Sequence, residues 1–158
     1  DAVARIRSKG LEAICARAED IASYDVNADI LLSFEMLEHL LDPCRFLHEL
    51  SIKTEAKYFI VTVPFVKHSR MGLQYIRAKR KEQVFAENTH IFELSLDDWR
   101  LLIRYAGWKI EMDQICFQYP HRNVLCFTRP LWQKLDYEGF YGMILKPDHS
   151  WSSCYKDW

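Results

Sequence analysis

Residues 33–43 read S-F-E-M-L-E-H-L-L-D-P, which places Glu35, Glu38 and His39 within five positions, directly after the apolar run A-D-I-L-L. Two carboxylates and an imidazole so close together can exchange protons with a substrate or offer mixed oxygen and nitrogen ligands to a divalent cation. Two further histidines sit mid-chain, His68 in V-K-H-S-R and His90 in N-T-H-I-F. A neutral imidazole near pH 7 can take the proton of an attacking hydroxyl or amine, so each is a candidate general base; taken alone, each reads first as a satisfied structural histidine. Glu19 and Asp20, in R-A-E-D-I, form another acidic spot that taken alone reads as a solvated turn.

The elements around these residues set where they would stand. A-D-I-L-L-S (28–33) is a near-continuous apolar run, the pattern of a strand covered on both faces. Asp42 and Pro43 open a helix over P-C-R-F-L-H-E-L-S-I, as N-cap and first helical residue. K-Y-F-I-V-T-V-P then reads as a second buried strand, so strand, helix and strand alternate as in parallel βαβ units. S-L-D-D-W-R-L-L-I-R-Y-A-G-W is a well-signalled helix, with Ser95 as cap, Asp98 at the third helical position and Gly107 at its end. Before the acidic run, residues 2–7 have helix character up to Gly10, and L-E-A-I-C-A (11–16) reads as a short strand. After the second helix, W-K-I-E-M-D-Q-I-C-F-Q-Y-P and N-V-L-C-F-T-R-P read as two strands joined by a turn at 120–123. Residues 65–93 form a long insertion with one helix expected over M-G-L-Q-Y-I-R-A-K-R-K-E-Q-V-F, and such length suits a lid or substrate loop. The tail, about 130–158, is rich in aromatics without a clear period.

Bulk properties narrow the class. A chain of 158 residues, 49% hydrophobic and 14% aromatic, can bury one core and is expected to be a single domain. Its formal charge of -1 gives no overall field for nucleic acid or an anionic membrane, although R-A-K-R-K (77–81) is a local basic patch. No apolar run approaches the roughly 20 residues that span a bilayer. Five cysteines, at 15, 44, 116, 126 and 154, form no C-x-x-C pair and are expected as reduced thiols in a cytoplasmic protein.

A-D-I-L-L-S-F-E-M-L-E-H-L-L-D-P-C-R-F-L-H-E-L resembles the fourth-strand segment of class I S-adenosylmethionine-dependent methyltransferases, in which an E-V-L-E-H element follows the strand. S-L-D-D-W-R-L-L-I-R-Y-A-G-W-K-I is similar to that family's late helix and sixth strand, and L-E-A-I-C-A-R-A-E-D-I to its third strand and following loop. The resemblance covers most of residues 1–128. It implies an α/β, Rossmann-like three-layer sandwich, its mostly parallel sheet ending in an antiparallel β-hairpin. The family's G-x-G-x-G loop and ribose-binding acid do not occur here, so in this register strands 1 and 2 and the first helix are expected to be missing. The family's sheet order, 3-2-1-4-5-7-6, then leaves strand 4 as an uncovered edge, expected to pair with a second molecule or with residues outside this sequence.

The resemblance also implies roles. Ser33, Phe34 and Glu35 would flank the methionine part of the cofactor, and Glu19 and Asp20 would approach its adenine. Glu35, His68 and His90 are the expected catalytic residues. In two branches of the family, the small-RNA 2'-O-methyltransferases and the ubiquinone-biosynthesis O-methyltransferases, a similar E-x-x-E-H holds a metal, which implies Glu35, Glu38, His39 and His90 as ligands to Mg, Mn or Zn. Many members carry the element with no metal. In the insertion, His68, Arg70, Tyr75, Arg77 and Lys79 to Lys81 could grip an anionic or sugar-bearing acceptor, or could form a solvated helix. Trp151, Tyr155 and Trp158 could stack on a sugar, pack in the core or meet a second copy. The expected function is methyl transfer from S-adenosylmethionine to an oxygen or nitrogen of a small or medium acceptor. Two alternatives stand beside it: a non-catalytic methyltransferase-like binding module, and a metal-dependent RNA 2'-O-methyltransferase. Nucleic acid and membrane are not expected partners; a homo-oligomer through the strand-4 edge is compatible.

Overall fold

The computed structural model describes residues 2–24, 27–85, 89–117, 127–128, 130–131 and 138–155. A four-stranded sheet organises them. β1 (Ile30–Phe34) and β2 (Tyr58–Phe65) are parallel, with Ile30 opposite Tyr58 and Phe34 opposite Thr62. Parallel pairing requires a crossover, and α2 (Pro43–Lys53) supplies it. Asp42 starts that helix, its carboxylate accepting a 2.9 Å hydrogen bond from the Arg45 amide, with Pro43 next to it as expected.

β5 (Trp108–Phe117) and β6 (Gly139–Pro147) close the sheet in antiparallel fashion, and β6 lies between β2 and β5. This central strand comes from the tail, where no period was read. Its Tyr141, Met143 and Leu145 are buried in alternation, but Phe140 and Ile144 are apolar on the opposite face and mask the pattern. The second strand expected for the hairpin, N-V-L-C-F-T-R-P, falls largely outside the described residues, as does the turn at 120–123. The antiparallel partner of β5 among the described residues is β6.

One face of the sheet carries the core. Leu31, Phe59, Val61, Val63, Tyr141, Met143 and Leu145 point to the side where α2 places Phe46, Leu47 and Leu50, and where α4 (Leu96–Tyr105) places Trp99 and Ile103. Two indole N–H groups pin the layers, Trp99 to the Pro64 carbonyl at 2.9 Å and Trp108 to the Leu47 carbonyl at 2.8 Å. On the opposite face Ile30, Leu32, Phe34, Tyr58, Met112 and Phe140 are exposed. Of the three layers expected, the described residues supply the sheet and one helical layer. β1 is therefore buried on one face only, not on both as its continuous apolar run suggests, and no described strand pairs with its outer edge.

Two further expectations are corrected. Leu11 to Ala16 is irregular, with Leu11 and Ile14 more than half exposed, because no described strand accepts its backbone hydrogen bonds. The insertion holds one helical turn, α3 (Gln74–Arg77), in place of a long helix. Leu73 and Lys79 have left-handed backbones (φ 45° and 54°) on either side of it, and the Arg77 guanidinium donates to the carbonyls of Met71 and Gly72. β3 (Arg70–Met71) and β4 (Phe92–Glu93) close its base as a small antiparallel ribbon. α1 (Ala2–Arg7) ends as read, with Gly10 at φ 76°.

Candidate functional site

β1 ends in an abrupt change of direction. Glu35 stands at φ 50°, a left-handed backbone that costs a non-glycine residue roughly 1 kcal/mol, while its amide still donates to the Thr62 carbonyl at 3.0 Å. The chain then makes a 3₁₀ turn over Leu37–His39, with Leu37 buried as its apolar anchor. That turn drives Glu38 inward: its side chain is fully buried, and neither carboxylate oxygen has a hydrogen-bond partner among the described residues. Oε1 of Glu35 is likewise buried and unpartnered.

His90 reaches the same place from the insertion. The Ile91 amide donates to the Glu38 carbonyl at 2.8 Å, and the carbonyl of His90 receives the Leu73 amide, also at 2.8 Å. Gly72 allows this lacing, since a Cβ there would lie 2.3 Å from the His90 carbonyl oxygen. The rings of His39 and His90 meet edge to face with centroids 5.0 Å apart. Nδ1 of His39 lies 3.0 Å from the Thr89 carbonyl, a contact that requires the proton on Nδ1, and Nε2 faces Glu38 Oε1 at 3.6 Å.

These groups line a pocket of about 290 Å³ at the carboxyl ends of β1 and β2. Arg70, Glu93 and Glu138 complete its charged wall: Arg70 binds Glu93 at 2.5 Å and lies 3.9 Å from Glu138. Four carboxylates thus face one arginine and two histidines. Burial raises Glu38 to about 7, with the neighbouring Glu35 charge acting in the same direction. Burial, and then His39, lower the His90 pKa below the usual histidine value, so its imidazole is neutral at pH 7.

Of the expected site residues, the structure gathers Glu35, Glu38, His39 and His90. Ligand atoms of Glu38, His39 and His90 lie within 4.8 Å of one another, a spacing one cation could occupy; Glu35 lines the pocket but is not in that set. The orphaned carboxylate and the orientation of His39 by a backbone carbonyl suit a divalent ion. Ser33 is buried, and its hydroxyl has no hydrogen-bond partner among the described residues, while Phe34 lies on the open face of the sheet. Glu19 and Asp20 line a separate groove of about 370 Å³ whose charges are largely satisfied among themselves, by Arg17 with Glu19 and by Arg45 and Lys53 with Glu49. His68 is exposed and does not line the pocket. Arg70 and Arg77, read as forks for an anion, are engaged within the chain. Trp151 lies under Arg104 and Tyr155 packs edge-on against Tyr105, while Trp158 is outside the described residues. Glu93 and Glu138 were not foreseen. Glu93, three residues after His90, could have been found from that spacing, whereas Glu138 precedes an unrecognised strand.

No family model and no curated protein matches the sequence. Solved structures do match. The 4+2 cyclase SpnF aligns over 93% of this chain at 13% identity and a TM-score of 0.57, and this chain spans 62% of that one. The O-methyltransferase of a trans-AT PKS multienzyme of Brevibacillus brevis, in complex with S-adenosyl-L-homocysteine, aligns over 92% at 11% identity and a TM-score of 0.58, with 53% of its own length covered. The chain has the Rossmann-like fold of class I S-adenosylmethionine-dependent methyltransferases. A methyltransferase of that cofactor class from Clostridium acetobutylicum aligns over 92% of this chain and 69% of its own, at 11% identity and a TM-score of 0.52. In this methyltransferase fold, β1, β2, β6 and β5 reproduce the 4-5-7-6 half of the expected sheet order, and the pocket stands where that order puts the end of strand 4. The presence of a cyclase among the neighbours shows that the fold alone does not decide the reaction. Among the described residues no helix is long and apolar enough to cross a membrane.

Proposed function

We propose that the protein is an S-adenosylmethionine-dependent methyltransferase acting on an oxygen or nitrogen of a small or medium acceptor, and that this chain carries the acceptor side of the site. The observation that carries the reading is the pocket at the carboxyl ends of β1 and β2, where ligands of open α/β sheets bind, with the Glu38 carboxylate and Oε1 of Glu35 buried in it without hydrogen-bond partners among the described residues. In-line methyl transfer needs positioning and a place for the acceptor's proton. His90, neutral at pH 7 and close to His39 and Glu93, is the residue best placed to take that proton.

A second reading is favoured by one specific observation, the convergence of Glu38, His39 and His90. These three would hold a Mg, Mn or Zn ion, which when bound would lower the pKa of an acceptor hydroxyl. It is the reading under which an RNA 2'-hydroxyl would be an acceptor. A non-catalytic module with the same fold is the third.

Calorimetric titration of S-adenosylhomocysteine into the full-length gene product separates these readings. The enzyme reading predicts saturable binding that magnesium leaves unchanged, and the metal reading predicts that magnesium or zinc binds and Glu38→Gln abolishes that binding. Absence of S-adenosylhomocysteine binding by the full-length product would leave only the module.

A further inference from the structure

We propose that the acceptor carries an ammonium group, and that Glu35 and Glu38 recognise it. The inference rests on the acceptor pocket proposed above and gives its ligand a chemical class.

Three buried carboxylate oxygens in this pocket have no hydrogen-bond partner among the described residues: both of Glu38, of which Oε1 lies 3.6 Å from His39 Nε2, and Oε1 of Glu35. Burying such groups without hydrogen bonds is unfavourable unless a ligand satisfies them. A primary ammonium offers three donors and one positive charge, which matches both the number and the sign of what is missing. An ion held by Glu38, His39 and His90 alone leaves Oε1 of Glu35 unaccounted for. The pocket, at about 290 Å³, also has room for the carbon framework that such a group would bring, with Pro64, Phe65, Val66 and Phe140 as its apolar wall.

The positive charges nearby do not fill the need. Arg70, the arginine of the pocket, is bound to Glu93 at 2.5 Å with Glu138 beyond it, so its guanidinium is drawn to the carboxylates of the outer wall. An anionic acceptor would meet four carboxylates around that engaged arginine and would be repelled. A neutral hydroxyl could donate to only one of the three orphaned oxygens. The selectivity expected is therefore ammonium over alcohol over carboxylate.

The test uses butylammonium, 1-butanol and butyrate as four-carbon probes, titrated at pH 8 into the isotopically labelled protein after EDTA treatment. The readout is the amide resonances of Glu35, Glu38, His39 and His90. The expected result is saturable shifts with butylammonium, affinity at least tenfold weaker for butanol, and none for butyrate. Glu38→Gln and Glu35→Gln should each remove most of that preference, while the Trp99 and Trp108 indole resonances stay in place as a control for folding. Equal affinity for butanol and butylammonium, or an unchanged preference in both variants, would overturn the proposal. So would magnesium binding in the pocket with no butylammonium binding. S-adenosylhomocysteine titration of the same samples keeps the two ideas apart. An ammonium preference without S-adenosylhomocysteine binding sinks the methyltransferase reading alone, and the reverse sinks the ammonium proposal alone.

Discussion

Two polar clusters sit against the same core and are treated in opposite ways. Between α4, β5 and β6, the Tyr141 hydroxyl donates to Asp113 at 2.6 Å, while Arg100 donates to the same hydroxyl at 2.9 Å and to Asp113 at 3.2 Å. Each group satisfies the next, so Asp113 is held below the usual carboxylate range, first by the Tyr141 hydroxyl and then by Arg100. Burial and the bond to Asp113 push Tyr141 up to about 12. At the end of β1 the arrangement is reversed: the Glu38 side chain is fully buried, and among the described residues neither carboxylate oxygen has a hydrogen-bond partner, His39 Nε2 lying 3.6 Å from Oε1. A closed network stabilises the fold and has nothing left to offer a ligand. An open one costs stability and keeps its acceptors available, which is the trade expected of a functional site.

The largest expected effect tests the open cluster. Glu38 is raised to about 7 in the folded chain against an ordinary value of 4.5, so its protonated form is the favourable one. That contribution is fully present below about pH 4.5 and is lost as pH rises through 7. Glu38→Gln cannot ionise and should be about 3 kcal/mol more stable than wild type at pH 8, with the difference shrinking towards zero at pH 4. Urea denaturation of both proteins at the two pH values reads this directly; a variant destabilised at pH 8 would mean that Glu38 already has a partner.

The closed cluster should respond with the other sign. Tyr141→Phe removes the hydroxyl that joins Arg100 to Asp113 and should cost about 1 kcal/mol at pH 7, measured by the same denaturation. Stabilisation by this substitution would erase the contrast. The smallest effect is expected at the rim, where Asp97 meets Arg100 at 3.3 Å with its side chain 88% exposed. Asp97→Asn should change stability by less than about 0.5 kcal/mol, because solvent screens the pair; a larger loss would extend the network outward.

Legibility in the sequence divided along the same line. Helix starts were readable because they depend on local chemistry: Asp42 with Pro43, and Ser95 with Asp98, behave as their types predict. At α4 the capping box is relayed, since the Ser95 amide donates to the Ser69 hydroxyl at 2.7 Å and that hydroxyl donates to Asp98. The parallel pair β1 and β2 was readable from its apolar runs. β6 was not, because a central strand with apolar residues on both faces and two glycines lacks alternation in its letters. The proximity of Glu35, Glu38 and His39 was written in their spacing, and His90 was nominated by a resemblance, but their meeting depends on backbone bonds between residues about 50 positions apart. Nothing local predicts such contacts. The satisfaction of Arg70 by Glu93 was invisible for the same reason, and the cationic acceptor proposed above draws on it.

The most direct test follows the Glu38 carboxyl carbon by NMR in protein carrying ¹³C-labelled glutamate, titrated between pH 4 and pH 9 with and without butylammonium. The free protein is expected to show a midpoint near 7 that moves down by a unit or more when the ammonium binds, because a cation favours the carboxylate. A midpoint near 4.5 in the free protein, or one that butylammonium does not move, would contradict the account of Glu38 as an acceptor held open for a ligand.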